Sequence, residues 1–241
     1  MAFLHVQQFD AVASTNDEAK RLAAEGAAEG TWVIATEQTG GRGRRGRVWS
    51  SPPGNLYSTL ILRPPGPVAA LTALSFVAAV AVGEAMLTLD STLPVAYKWP
   101  NDVLVGGRKV CGILLESGGT PPWVVIGIGL NIAHHPDDSE RPATSLTAAG
   151  VTASLSAVRD SLGRALENTY MRWREHGFDP VRQAWLARAI GLGQPITVRL
   201  PERELKGVFA ALADDGALLL DRDDGQRQRI DAGDVFLPAR A

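Results

Sequence analysis

Residues 41–47 read Gly-Arg-Gly-Arg-Arg-Gly-Arg, and Trp49 follows two positions after the last of these arginines. Glycine has no side chain to bury and lets the main chain approach a ligand closely. Guanidinium groups pair with phosphate or carboxylate oxygens, and an aromatic side chain covers a flat ring. We call residues 39–48 the arginine loop. Its composition predicts a segment that wraps a small anionic ligand, and we expect it to be disordered until that ligand binds.

Other segments contain polar residues of types that bind ligands. They are Ser14, Thr15, Asn16 and Gln38 near the first predicted helix and strand, Lys98, Asn101 and Asp102 around a proline, and Lys109, Gly112 and Asn131 near later strands. Taken singly, each segment has a simpler interpretation as a helix N-cap, a solvated ion pair or a charged strand edge. The case for a site therefore depends on whether the fold brings these segments together.

If it does, Arg42, Arg44, Lys98 and Lys109 would bring four positive charges to one pocket, with Asp102 as the nearby acid. Phosphoryl and adenylyl transfer need cations that neutralise a triphosphate and the departing pyrophosphate, and a carboxylate can help to hold Mg²⁺. The sequence contains no GxxxxGK[ST], no GxGxxG that opens a helix and no GxSxG. A P-loop, a Rossmann site and a serine nucleophile elbow are therefore not supported.

The overall charge favours a focused anion site over a nucleic-acid footprint. The 241 residues carry 24 Lys and Arg against 26 Asp and Glu, a formal net charge of −2, whereas nucleic-acid-binding domains usually carry a basic excess. With 45% hydrophobic residues the chain can bury a sizeable globular core. The single cysteine, Cys111, excludes an internal disulfide. No secretory signal is visible, so we expect a cytoplasmic protein.

The hydrophobic pattern predicts mixed helices and strands up to about residue 190, and only short strands beyond Gly191. Thr15 and Glu18 fit a capping box at the start of a first helix. The predicted strands of this part are Thr31–Thr36, Asn55–Leu62, Val95–Trp99, Val103–Val105, Val110–Glu116 and Trp123–Ile132. Further predicted helices are Val68–Leu89, Thr152–His176 and Asp179–Ala189. Five short strands within residues 196–236 predict a small C-terminal barrel.

In the order and approximate spacing of its motifs, the sequence resembles the biotin protein ligases of the short kind that lack an N-terminal DNA-binding domain. The matching residues are Ser14-Thr15-Asn16, Gln38, Gly41 to Arg47 with Trp49, Asn55-Leu56-Tyr57, Lys98 to Asp102, Lys109 with Gly112, and Gly127 to Asn131. The resemblance implies an α+β fold, with a mixed sheet flanked by helices as in class II aminoacyl-tRNA synthetases. This catalytic domain would span residues 1–190, and an SH3-like barrel would span residues 191–241.

The resemblance also implies an activity with ATP and biotin as substrates and Mg²⁺ as cofactor. Biotin would be activated as biotinyl-5′-AMP and passed to a lysine of a biotin carboxyl carrier domain of acetyl-CoA or acyl-CoA carboxylase. The implied catalytic residues are Arg42, Lys109, Arg44 and Lys98. The implied biotin contacts are Ser14, Thr15, Asn16, Gln38, Gly41, Arg42, Gly43, Arg44, Lys109 and Gly112. The implied adenylate contacts are Arg44, Arg45, Trp49, Lys98, Asn101, Asp102, Lys109 and Asn131, with Asp102 also as a Mg²⁺ ligand.

Two alternative functions remain open from the sequence. A lipoate or octanoate ligase would use similar chemistry, although the side chains of Ser14, Thr15 and Gln38 suit a ureido ring better than a dithiolane or acyl chain. A nucleic-acid-binding protein could use the arginine loop as a clamp, but this leaves Lys109 and residues 98–102 unexplained. Thirteen residues before Ser14 are too few for a helix-turn-helix domain, so we expect no DNA binding. Both a monomer and a homodimer are compatible with the resemblance.

Overall fold

The computed structural model describes residues 4–64, 72–120, 122–137 and 142–237, which form twelve β-strands and four α-helices. The helices are α1 (Thr15–Ala24), α2 (Ala73–Leu89), α3 (Leu155–His176) and α4 (Asp179–Leu186). The first seven strands are β1 (His5–Val12), β2 (Thr31–Gln38), β3 (Leu56–Leu62), β4 (Val95–Lys98), β5 (Asp102–Val105), β6 (Arg108–Gly118) and β7 (Trp123–Leu130). The last five are β8 (Pro195–Arg199), β9 (Glu204–Leu212), β10 (Leu218–Asp221), β11 (Arg227–Ile230) and β12 (Asp234–Phe236).

A mixed seven-stranded sheet forms the body of the molecule, in the order β1-β2-β3-β7-β6-β5-β4. Strands β1 and β2 are parallel, and all other neighbours are antiparallel. Every residue of β3 is buried, as are nearly all of β7. Such continuous burial requires cover on both faces of the sheet. On one face Ala19 and Ala23 of α1 pack with Val33, Ile61 and Val125.

Helix α2 covers the opposite face of the sheet. Its sequence is apolar on almost every side because it lies between the sheet and α3, which belong to the same core cluster. Gly83 lies directly against the Tyr97 hydroxyl, so no larger residue fits there. The predicted helix Val68–Leu89 is confirmed from Ala73 onward, and residues 68–71 lie outside the described part of the chain. Within the described residues, no helix is long and apolar enough to cross a membrane.

Strands β8–β12 form a second, fully antiparallel sheet in the order β11-β10-β9-β8-β12. The five predicted C-terminal strands are thus confirmed, as an open sheet in which β11 and β12 are the two edges. This sheet shares the core of the first: Phe209 packs near Trp185, and the Trp99 indole donates a 3.0 Å hydrogen bond to the Gly216 carbonyl. The second sheet is therefore held firmly against the body that carries the motifs.

Three local features differ from the sequence analysis. Strand β1 was not predicted, because most of its side chains are exposed and give no clear hydrophobic pattern. The Thr15–Glu18 capping box does not form: Ser14 is the N-cap and makes no side-chain cap bond, while the Thr15 hydroxyl bonds to Gln38 instead. Helix α3 begins at Leu155, where the Ser154 hydroxyl accepts from the Ala157 amide.

Candidate active site

A cavity of about 390 Å³ opens between the start of α1, the arginine loop and the strands β5 to β7. Its lining contains most of the predicted site residues: Ser14, Thr15, Asn16, Gln38, Arg42, Gly43, Arg44, Trp49, Asn101, Asp102, Lys109, Gly112 and Asn131. Residues from five separate segments of the sequence therefore meet in one place. We call the part of the lining around Ser14, Thr15 and Gln38 the neutral end, and the part around Lys109 and the arginine loop the cationic end.

The neutral end is built on Gln38, the last residue of β2. Its amide oxygen accepts hydrogen bonds from the Thr15 backbone N–H at 2.8 Å and from the Thr15 hydroxyl at 3.1 Å. Its amide nitrogen donates to the Ser51 hydroxyl at 2.9 Å, and Ser51 donates in turn to the Trp49 carbonyl. The side chains that would read a polar ligand are therefore fixed before any ligand arrives, which limits the entropy lost on binding.

Asn16 is held rigidly by residues that the sequence does not single out. The Thr59 hydroxyl lies 2.7 Å from the Asn16 amide oxygen and 2.8 Å from the Thr15 hydroxyl, and Thr59 is completely buried. The Asn16 amide nitrogen donates to Glu116 at 2.7 Å and to the Leu114 carbonyl. Because these bonds occupy its polar atoms, Asn16 shapes the site more than it contacts a ligand.

Glu116 is itself tied to α1. Burial would raise the pKa of Glu116, but hydrogen bonds from Lys20 and Asn16 outweigh that effect and hold it below the usual value. The Lys20 ammonium lies 2.9 Å from both Glu116 and Asp17. The carboxylate therefore stays ionised at neutral pH and fastens the start of α1 to β6.

Two glycines in adjacent strands form a flat floor beneath Trp49. Gly112 of β6 and Gly129 of β7 are register partners. A Cβ atom at Gly129 would lie 2.6 Å from the Trp49 Nε1, and one at Gly112 would lie 3.0 Å from Cζ3 of the same ring. Among the described residues, the Trp49 Nε1 has no hydrogen-bond partner although it is buried. The Trp49 indole therefore lies flat on this floor, because any side chain at Gly112 or Gly129 would collide with it.

Two cations of the cavity, Lys109 and Arg42, are each paired with a carboxylate. Lys109 lies 2.6 Å from buried Asp102 and 5.2 Å from the centroid of the Trp49 ring. Arg42 makes two 2.6 Å hydrogen bonds to Asp17, and these lower the pKa of Asp17 to about 2. These pairs orient the two side chains in the absence of a ligand.

The remaining arginines of the loop reach the second sheet. Arg45 lies 3.2 Å from Asp234, Arg47 makes a very short contact with the same carboxylate, and Arg44 lies 3.7 Å from it. Arg44 also donates to the Asn101 amide oxygen at 3.3 Å and to the Gly233 carbonyl at 3.2 Å. Burial lowers the pKa of Arg44, though a guanidinium stays charged at any physiological pH. Asp234 was not predicted from the sequence, since no motif marks it.

The arginine loop is folded in the structure, although the sequence predicts disorder in the absence of ligand. Arg42 and Val48 form an antiparallel bridge, and residues 44–46 make one turn of 3-10 helix. The contacts with Asp234 provide a physical reason for this order. Protection of the loop by a ligand stays a prediction.

Three predicted site residues lie outside the cavity lining. Lys98 sits with its ammonium 5.5 Å from the centroid of the Phe236 ring. Gly41 lies behind Gln38, where a Cβ atom would come within 2.6 Å of the Ser51 hydroxyl. Arg45 points to Asp234. In the lining, Asn131 donates its side-chain N–H to the Thr144 carbonyl at 3.0 Å.

The residues present fit a Mg²⁺ ion only in part. Asp102 is buried in the lining but is bound closely to Lys109. The described residues contain no group of three or more His, Cys, Asp or Glu side chains that could hold a metal ion. Mg²⁺ commonly uses one or two carboxylates together with substrate phosphates. Such a shared arrangement suits this site, and a cage made by the protein alone does not.

The fold and the site together define a class of protein, the ligases that activate a carboxylic acid cofactor for attachment to protein. Residues 9–131 match the Biotin/lipoate A/B protein ligase family. The chain therefore belongs to the Biotin/lipoate A/B protein ligase family, and its relatives place it among the biotin protein ligases. Residues 191–237 match the Biotin protein ligase C terminal domain.

The similarity extends over nearly the whole chain. The Biotin--[acetyl-CoA-carboxylase] ligase of Paracoccus denitrificans is 44% identical, over 92% of this chain and 96% of its own length. The Bifunctional ligase/repressor BirA of Bacillus subtilis is 36% identical, over 97% of this chain and 74% of its own length. The solved biotin protein ligase from Aquifex aeolicus in complex with biotin and ATP superposes with a TM-score of 0.82 at 26% identity, covering 96% of this chain and 97% of that one. The expected α+β ligase fold is confirmed.

Proposed function

We propose that this chain is an ATP-dependent biotin protein ligase. It forms biotinyl-5′-AMP in the cavity described above and transfers the biotinyl group to a lysine of a biotin carboxyl carrier domain of acetyl-CoA or acyl-CoA carboxylase. One observation carries the proposal: a rigid neutral polar end built on Gln38 and a cationic end built on Lys109 and the arginine loop share one cavity. An uncharged ring with a carboxylate at the end of its side chain complements both ends.

The ureido ring of biotin offers one acceptor and two donors, all of them uncharged. Ser14, Thr15 and Gln38 supply matching hydroxyl and amide groups in the lining of the cavity. Buried hydrogen-bonding groups reject a ligand that leaves them unpaired. This is the physical reason for preferring biotin over lipoate or octanoate, whose rings or chains cannot pair with these groups.

At the cationic end, an oxygen of the biotin carboxylate attacks the α-phosphorus of ATP. A new P–O bond forms, the bond from the α-phosphorus to its bridging oxygen breaks, and pyrophosphate leaves with the electron pair. Lys109, Arg42 and Arg44 offset the charge that develops, with Asp102 orienting Lys109. Because the substrate supplies the nucleophile, positioning and charge stabilisation account for the catalysis.

The proposed nucleotide contacts come from the arginine loop, from Trp49 beside it and from segments at strands β4, β5 and β7. We assign Trp49 and Asn131 to the adenine, and Asn101 with Arg44 and Arg45 to the phosphates. Lys98 acts on the nucleotide only through a change of rotamer, since it now lies over Phe236. Mg²⁺ would be held by phosphate oxygens and Asp102, and would neutralise part of the triphosphate charge.

In the second step, the uncharged amine of the carrier lysine attacks the acyl carbon of the mixed anhydride. An amide bond forms, the acyl–phosphate bond breaks, AMP leaves and the amine loses a proton. The anhydride must be kept from water until the carrier arrives, and the arginine loop covers the cavity at this point.

Exchange of labelled pyrophosphate into ATP tests the first step. We expect exchange with biotin and none with lipoate or octanoate. Lys109→Ala and Arg44→Ala should each reduce the rate by about 10²–10³-fold, because each removes a charge from the reacting centre. Arg108→Ala removes a neighbouring but exposed cation and should retain activity. Faster exchange with lipoate, or full activity in Lys109→Ala, would contradict the assignment.

The division at residues 190 and 191 is supported by the match to the C-terminal domain, which begins at residue 191. A cytoplasmic location remains a prediction, supported by the single, buried and unpaired Cys111. We expect a monomer or a homodimer, and no binding to DNA.

A further inference from the structure

Asp234 stands out among the cavity residues because it comes from the second sheet. It is the first residue of β12, and only 8% of its side chain is exposed. Its carboxylate meets the guanidinium groups of Arg44, Arg45 and Arg47, all from the arginine loop. These partners lie about 190 residues away along the chain, so the contact is purely a product of the fold.

The position of Asp234 is fixed by its surroundings. Strand β12 pairs with β8, where Asp234 is the register partner of Arg199. A Cβ atom at the preceding Gly233 would lie 2.8 Å from Val198, so the backbone packs tightly there. The sheet itself is anchored to the body through Trp99 and Gly216. Asp234 is therefore a rigid point from which a flexible segment can be held.

Apart from the pair of Arg42 with Asp17, the bond of Arg44 to Asn101 and its backbone hydrogen bonds, the arginine loop has few buried contacts. None of the residues in its 3-10 turn is buried, and Val48 is 88% exposed. Arg45 adopts a left-handed backbone with φ of 57°, which is unfavourable for a residue with a side chain. Such a conformation persists only where the surroundings determine it. For residues 44–47, the ion pairs with Asp234 compensate for the missing core.

The charges at this point favour an anion as well as an ordered loop. One carboxylate cannot neutralise three guanidinium groups, so the cluster keeps a positive excess beside the cavity. Asp234 and the Gly233 carbonyl also orient Arg44, whose side chain lines the cavity together with Asn101. A triphosphate would therefore meet arginines that are already gathered in one place.

We propose that Asp234 is a positioning residue, through which the C-terminal sheet orders the arginine loop and sets Arg44 for the nucleotide. The ordering part of this proposal stands on the contacts alone. The part that concerns the nucleotide rests on the proposed function. The C-terminal sheet thereby contributes to the first chemical step without supplying a group that touches biotin.

Hydrogen exchange of the ligand-free full-length chain, followed by mass spectrometry, tests the ordering. In Asp234→Asn, the amides of Gly43, Arg47 and Trp49, whose hydrogen bonds close the loop, should exchange about tenfold faster than in the wild type. Asp231→Asn is the matched control, because Asp231 is an exposed acid of the same turn that pairs with Arg229 instead. Equal exchange in Asp234→Asn and Asp231→Asn would overturn the proposal.

Asp234 could instead affect the loop only by stabilising the second sheet. Two further measurements distinguish that explanation from the ion pair. Asp234→Glu, which restores a carboxylate, should recover most of the protection. Asp234→Asn combined with Arg47→Ala should exchange little faster than Asp234→Asn alone, because the contact of Arg47 is one of those that Asp234→Asn already removes. Additive effects, or no recovery with glutamate, would contradict the ion pair as the cause.

The effect on the nucleotide is measured by pyrophosphate exchange at saturating biotin. In Asp234→Asn, KM for ATP should rise about tenfold while KM for biotin changes less than twofold, because the neutral end of the cavity is untouched. Faster hydrogen exchange with an unchanged KM for ATP would refute the positioning role. If the wild-type chain shows no pyrophosphate exchange at all, the proposed function fails, while the hydrogen-exchange comparison still decides the ordering.

Discussion

Replacing Thr59 by valine tests whether the neutral end of the cavity is pre-organised. Valine has nearly the same shape as threonine but no hydroxyl, and position 59 is fully buried. The Asn16 amide oxygen then loses the donor that lies 2.7 Å away. Leaving a buried acceptor unpaired costs about 1–3 kcal/mol. For a chain of this size, each kcal/mol lowers Tm by about 2–4 °C.

The same change should weaken biotin binding. Thr15 keeps its bond to Gln38 but loses its second partner, so both it and Asn16 can turn away from the ligand. If about 1.4 kcal/mol of that ordering must be restored on binding, Kd rises about tenfold. Isothermal titration calorimetry with biotin, together with thermal denaturation, measures both effects.

Thr59→Ser is the matched control, because it keeps the hydroxyl and loses only a methyl group. It should bind biotin almost as tightly as the wild type. If Thr59→Val binds biotin with unchanged affinity, the hydroxyl network does not position the ligand contacts. If serine is as damaging as valine, packing of the methyl group is the cause and the argument from hydrogen bonds is refuted.

Three further predictions concern the loop, the floor and the charges of the cavity. Trypsin should cut at the arginines of residues 39–48 more slowly with biotin and ATP than without them, and equal rates would exclude a ligand-ordered loop. Gly129→Ala places a Cβ 2.6 Å from the Trp49 Nε1, so activity should fall about 100-fold with a shift in tryptophan fluorescence, whereas normal activity would show that the floor is not needed. Because hydrogen bonds from Arg42 lower the pKa of Asp17 to about 2, the pair stabilises the fold at neutral pH and loses this contribution as the pH falls from about 4 to 2. Asp17→Asn should flatten that part of the plot of urea midpoint against pH, and a curve like that of the wild type would argue against the pair.

The residues that form the cavity could largely be predicted from the sequence, because their chemistry is written in short motifs. These motifs are the arginine loop, the turn at residues 98–102 and the hairpin residue Lys109. Few functions other than binding an anionic ligand would use all three. Their convergence is what the structure adds: Lys109 and Arg42 lie on separate elements, yet both line one cavity.

The residues that orient those groups could not be predicted in the same way. Thr59 looks like an ordinary strand residue, and Glu116 looks like a charged strand edge. Asp17 and Asp234 each have another acidic residue nearby in the sequence and belong to no recognisable motif. Each becomes informative only when the fold places it against a cation or a buried amide, and no local pattern encodes those distances.

Among the fold elements, those with strong hydrophobic patterns were predictable and those without were not. The buried strand β3 and the apolar helix α2 follow from runs of apolar residues. Strand β1 is polar and mostly exposed, and it is a strand only because β2 offers it a parallel edge. The pairing order of the seven strands depends on such contacts between distant segments, so the sequence pattern cannot specify it.

Transfer of biotin to a carrier domain tests the central claim most directly. Purified chain, biotin, ATP and Mg²⁺ are incubated with a biotin carboxyl carrier domain, and intact-mass spectrometry measures the product. We predict a gain of one biotinyl group on a single lysine of the carrier, dependent on ATP and lost in Lys109→Ala. An unmodified carrier under these conditions, or modification that persists in Lys109→Ala, would contradict the account.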